Sequence, residues 1–129
     1  MPKFVLLLVL PCIALLAAGL AGTYSGTWSG SSGASGDFHI SLTPGENGAW
    51  KSDVTFTFGG ADVNTKVTSV KVDGTKVIIV YQFDLQETRL ESTATGQLNG
   101  NQLDGTYSTK VVADGSAVDE GTWKTTVAQ

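Results

Sequence analysis

One histidine and twelve acidic side chains are what this chain of 129 residues offers to acid–base chemistry. His39 sits in "DFHISL", where a period of two puts Phe38 and Ile40 on the opposite face. A general base needs an oriented partner within reach, and a histidine alone on the polar side of a strand reads as a solvent-facing residue. Serine is abundant, but there is no Gly-x-Ser-x-Gly elbow, and a single histidine would have to serve any triad. Asp104, Asp114, Asp119 and Glu120 fall close together, yet their spacing fits no calcium loop. Asp114 belongs to a turn, and Asp119 is expected to face Lys110 across a hairpin. Glycoside cleavage needs two carboxyl groups held about 5 to 10 Å apart in a cleft, and nothing marks such a pair. The residues point to a non-catalytic protein without metal or cofactor, with a secreted hydrolase as the alternative.

Aromatic side chains offer a different chemistry. Three Trp and three Tyr occur in alternating runs, where inward rings either fill a core or line a cavity that takes an apolar ligand or a sugar. Trp28, Trp50, Tyr81, Tyr107 and Trp123 are the candidate cavity residues. Small residues at the expected interior positions Ser52, Ser92, Ala94 and Gly96 leave room for a ligand, and an eight-stranded barrel is wide enough either to hold one or to fill itself.

The elements that must position these rings are strands. "DFHISL" sends Phe38, Ile40 and Leu42 to one side; "WKSDVTFTF" does so for Trp50, Val54, Phe56 and Phe58. The same period aligns Val77, Ile79, Tyr81 and Phe83, then Leu90, Ala94 and Leu98, then Leu103, Tyr107 and Val111. Turn dipeptides separate the runs: "ENG" at 46, "DG" at 73, "NG" at 99 and "DG" at 114. With first and last strands included, the pattern is an all-β, up-and-down antiparallel meander of about eight strands, closed or nearly closed as a barrel, with a β-sandwich as the alternative.

A Gly-Thr-aromatic triplet recurs at Gly26, Gly105 and Gly121. Glycine lets a strand coil sharply and a nearby ring covers the bare backbone, so the triplets are expected to bend the sheet until its ends meet, which removes exposed edges. Two registers follow from two-residue turns. At Asp114-Gly115, Val111 would pair with Val118 and leave Trp123 outside, unless a bulge at Glu120-Gly121 restores it to the core. At Asp73-Gly74, Val70 would face Val77 inside while Val67, Ile78 and Val80 gather outside as an apolar patch, a candidate partner surface.

Residues 1–21 read as a secretory signal peptide: Lys3, an apolar run from Phe4 to Leu16, then small residues, with cleavage after Ala21 or Gly19. A retained membrane anchor is the competing reading, and the only one that brings a membrane in. Residues 22–129 then form the β-barrel domain. Its loss of Cys12 excludes thiol chemistry and disulfides, and a cysteine-free exported domain fits a bacterial periplasmic or secreted protein. Without Lys3, seven basic side chains face twelve acidic ones, a net charge of −5, which repels nucleic acid.

"YSGTWSG", "VDGTKV", "LNGNQLDGTY" and "EGTWK" together resemble a small calycin-like β domain, lipocalin- or avidin-like in outline, that often accompanies secreted bacterial hydrolases. The resemblance spans Tyr24 to Val127 and rests on glycines, aromatics and turns. Gly26-Thr27-Trp28 is similar to the Gly-x-Trp that opens many lipocalins, but the other lipocalin signatures and the binding tryptophans of avidins are missing, so neither retinoid nor biotin is implied. It implies a barrel-like fold and an exported domain that binds a small apolar ligand or a protein; a structural envelope protein is the remaining alternative.

Overall fold

The computed structural model of the chain describes residues 19–128. Cys12 and all but the last three residues of the expected leader lie outside the described residues.

Each alternating run becomes a strand, because a period of two puts its apolar members on one face. In chain order these are β1 (Gly22–Gly30), β2 (Ser35–Pro44), β3 (Trp50–Phe58), β4 (Ala61–Asn64), β5 (Lys66–Asp73), β6 (Lys76–Leu85), β7 (Thr88–Asn99), β8 (Gln102–Val111) and β9 (Ala117–Val127). One 3₁₀ turn, Glu46–Gly48, is the only helical element among the described residues. Spatial neighbours pair antiparallel in the order β4-β3-β2-β1-β9-β8-β7-β6-β5, a single meander curled into a half-barrel.

The two edges of this sheet are consecutive in the chain. Ala61–Asn64 pair with Phe58–Thr55 of β3; Thr65 Oγ1 then donates to Val54 O at 2.6 Å, and from Lys66 the backbone pairs with β6 instead. Residues 61–73 thus read as one run but make two strands, which is why nine strands stand where about eight are expected.

First and last strands meet through the repeated triplets. Trp28 lies opposite Trp123 and Gly30 opposite Gly121 across β1–β9, while across β8–β9 Gly105 faces Trp123 and Tyr107 faces Gly121. A Cβ at Gly26 would fall 1.8 Å from Lys124 O, one at Gly105 1.8 Å from Thr95 O, and one at Gly121 2.1 Å from Ser29 O. Glycine is required there because neighbouring backbones approach too closely for any side chain. Trp28 and Trp123 consequently point inward, 7% and 2% exposed.

The core is the concave face. Phe38, Ile40, Leu42, Val54 and Phe56 meet Val77, Ile79, Tyr81 and Phe83, each such burial being worth roughly 1.5 to 3 kcal/mol. Leu20, ahead of β1, is buried with them, and its carbonyl accepts the Tyr24 hydroxyl at 2.7 Å. A Cβ at Gly96 would fall 2.5 Å from the Trp123 ring. The space expected at Gly96 for a ligand is therefore taken by that indole.

Two registers differ from expectation. Hairpin β5–β6 turns on Gly74-Thr75, so Val77 lies opposite Val72 and Val70 opposite Ile79. Thr68 is an extra residue between Val67 and Ser69; because a one-residue slip reverses the face, Val67 pairs with Tyr81 and packs on the core. The expected outer patch is broken, with only Ile78 and Val80 on the outside, both half-buried. In hairpin β8–β9 the extra residue is Val118, not Glu120-Gly121: Thr109 pairs with Asp119 and Lys110 with Ala117. Trp123 reaches the core as expected, but Asp119 turns inward too, and Lys110 sits 3.6 Å from Glu91 instead.

Candidate functional site

Four hairpin turns, β1–β2, β3–β4, β6–β7 and β8–β9, ring one end of the half-barrel, and a cavity of about 190 Å³ opens there. It exists because β4 leaves β6 at this end to pair with β3, so the inward residues of β6 beyond Tyr81 have no β5 partner. Buried Phe38, Tyr81 and Phe83 form its deep wall. Trp28 shares the wall, meeting Phe56 and Tyr107 edge-on, with ring centroids 6.1 and 6.0 Å away, and lying nearly parallel to Phe58 at 6.3 Å. At the rim, Phe58 and Val118 are 41% and 48% exposed. With Val112 of the β8–β9 turn they are the large apolar side chains that stand exposed among the described residues, and all three are at this end.

Few polar atoms interrupt the wall. The Ser92 and Thr109 hydroxyls bond each other at 2.5 Å. Burial pushes the Tyr81 phenol well above its ordinary range, an effect that a hydrogen bond with Ser92 partly offsets. Nearer the rim the Tyr107 hydroxyl donates to Asp119 Oδ2 at 2.8 Å, and the Ser32 amide donates to Oδ1 at 3.3 Å. Tyr107 is also raised, first by desolvation, then by the hydrogen bond its proton makes to Asp119 and by the charge of that carboxylate. Gly30 lacks a side chain where this pair lies: a Cβ there would be 2.2 Å from Asp119 Oδ2.

Of the five rings singled out in the sequence, Trp28, Tyr81 and Tyr107 come together on this cavity. Trp123 does not line it; its Nε1 donates to Thr106 O at 3.0 Å and its ring fills the core beside Phe38. Trp50 is at the opposite end, on a more open slit of about 440 Å³ between β3 and β5, which do not pair with each other. Ser52 lines that slit as well, with its Oγ buried and unbonded. Trp50, Val67 and Val70 share its lining with Ser41, Thr43, Lys51, Ser52, Asp53, Thr68 and Ser69, so the slit is far more polar than the cavity. Of the small interior residues, only Ser92 lines the cavity. The phenylalanine wall follows from the same period of two that placed the tyrosines; Asp119 was hidden by the bulge.

His39 faces out from β2, with Nδ1 3.0 Å from Ser25 Oγ on an exposed strand face. The four late acidic residues do not converge. Asp104 lies across from Lys124, Asp114 accepts from the Ser116 amide and hydroxyl within its turn, Asp119 enters the cavity and Glu120 points away from it. No protein-family model and no curated protein sequence matches the chain.

Proposed function

We propose that this is an exported, non-catalytic binding domain whose cavity, at the end ringed by the β1–β2 and β8–β9 turns, holds a small, largely apolar ligand. The observation that carries this reading is the coincidence of a ring-lined cavity with Phe58 and Val118 exposed at its mouth, Val112 standing exposed on the β8–β9 turn at the same end. Large apolar groups kept in water at one place commonly mark a contact surface. Size narrows the ligand: an apolar cavity of about 150 Å³ accommodates benzene, whereas drug-sized ligands occupy roughly 300 to 1,000 Å³. About 190 Å³ therefore suits one ring with a short substituent.

The half-barrel is compatible with a barrel-like fold; the calycin-like resemblance stays part of the proposal along with periplasmic or secreted localisation. Of the two cleavage points after the leader, the one after Gly19 keeps Leu20 beneath the core. Loss of Val67 from the outer face removes the ground for a partner patch on β5 and β6.

Benzyl alcohol titrated into the labelled protein should shift the indole N–H resonance of Trp28 and amide signals of β6 and β8 near Tyr81 and Tyr107, saturating in the millimolar range. Shifts confined to the slit beside Trp50, or none, would refute the cavity reading.

A further inference from the structure

We propose that the cavity selects an organic ammonium, a single-ring aryl or arylalkyl amine in its protonated form; this rests on the cavity reading above and adds the charge of the ligand. Asp119 is the reason. Its carboxylate enters an otherwise apolar mouth, half-buried, and the ion pairs among the described residues, Arg89 with Asp84 and Lys110 with Glu91, leave it without a cation. An ionised carboxylate has about four acceptor positions. Tyr107 takes one and the Ser32 amide, at 3.3 Å, weakly takes another. The remaining lone pairs stand at the rim where Trp28, Tyr107 and Phe58 come together, and aromatic faces attract cations as carboxylates do.

Depth and rim ask for different ends of one molecule. The buried part of the wall includes Phe38, Phe83 and Tyr81, and the Ser92 and Thr109 hydroxyls there already satisfy each other. That part takes a ring. At the rim an ammonium answers the unpaired charge, while a carboxylate ligand meets repulsion there and from a chain of net charge −4.

Three probes of nearly equal size test this on the intact domain by calorimetric titration at neutral pH: benzylamine, protonated there, benzyl alcohol and benzoate. Benzylammonium should bind about tenfold more tightly than benzyl alcohol, and benzoate most weakly. Asp119→Asn should bring the first two within about twofold, as expected if the carboxylate supplies most of the preference. Benzyl alcohol matching the cation in the unmodified protein, or a preference that survives Asp119→Asn, overturns the inference while leaving the cavity reading intact; failure of all three probes to bind removes both. Should the variant not fold by circular dichroism, salt decides on the unmodified protein. Raising ionic strength from about 0.02 to about 0.5 M should shrink the preference by screening the rim, and an unchanged preference overturns the inference.

Discussion

Glycine at 26, 105 and 121 has a different function from glycine in a turn. At the β3–β4 hairpin, Gly59 and Gly60 adopt φ of 61° and 82°, the left-handed pair a two-residue turn wants. The triplet glycines need no such angle; they are fixed by the carbonyl oxygens that a Cβ would strike. Gly121→Ala would place a methyl 2.1 Å from Ser29 O on the strand that joins the chain's two ends. The neighbouring backbone cannot move aside as a flexible side chain would, so the substitution should cost about 1 to 3 kcal/mol, as overpacking does. A urea midpoint unchanged from the parent would refute that account. The triplets were legible from composition alone because Gly next to an aromatic has a physical meaning in a coiled strand. Asp119 was not, since its face depends on where one extra residue sits.

Strand pairing exposes a second dependence on local angles. Hairpin β6–β7 turns on Gln86 and Glu87, both left-handed with φ of 50° and 70°, beside the cavity wall formed by Phe83 and Leu85. Non-glycine residues avoid this region at a cost of roughly 1 kcal/mol or more each, and nothing in "LQET" announces a turn of this kind. Replacing Gln86-Glu87 by Asn-Gly should raise stability by about 1 kcal/mol, seen as a higher urea midpoint with an unchanged slope; a lowered midpoint would show that the pair is held by contacts worth more than the strain. The same element scale explains the split of residues 61–73. Alternation reports which face a residue occupies, but not which neighbour its backbone joins.

All three tyrosines of the molecule, Tyr24, Tyr81 and Tyr107, have phenols raised above the ordinary value of 10.0, in each case first by burial. In the unfolded chain they ionise near 10, so above that pH the folded state binds more protons than the unfolded one. Stability is then fully present below pH 10 and falls as pH rises beyond it, with the sign that linkage gives to a raised pKa. Tyrosinate absorbance near 295 nm should therefore appear together with loss of the near-ultraviolet circular dichroism of the packed rings, as one alkaline unfolding transition. Smooth titration of even one tyrosine near pH 10 with the fold retained would contradict the burial.

What the amino-acid order settled by itself was a matter of short range. Period two made strands, turn dipeptides made hairpins, and triplets such as Gly26-Thr27-Trp28 and Gly121-Thr122-Trp123 marked the bends where β1 and β9 meet. The closed picture it suggested was nearly right, in the form of a half-barrel. Tertiary structure alone decided that Trp123 packs solid while Trp28, Tyr81 and Tyr107 share an open space, that Val67 turns in, and that Asp119 enters the mouth. The reason is that single-residue bulges at Thr68 and Val118, and the departure of β4 from β6, are chosen by competition among whole-sheet arrangements. No window of sequence contains both competitors.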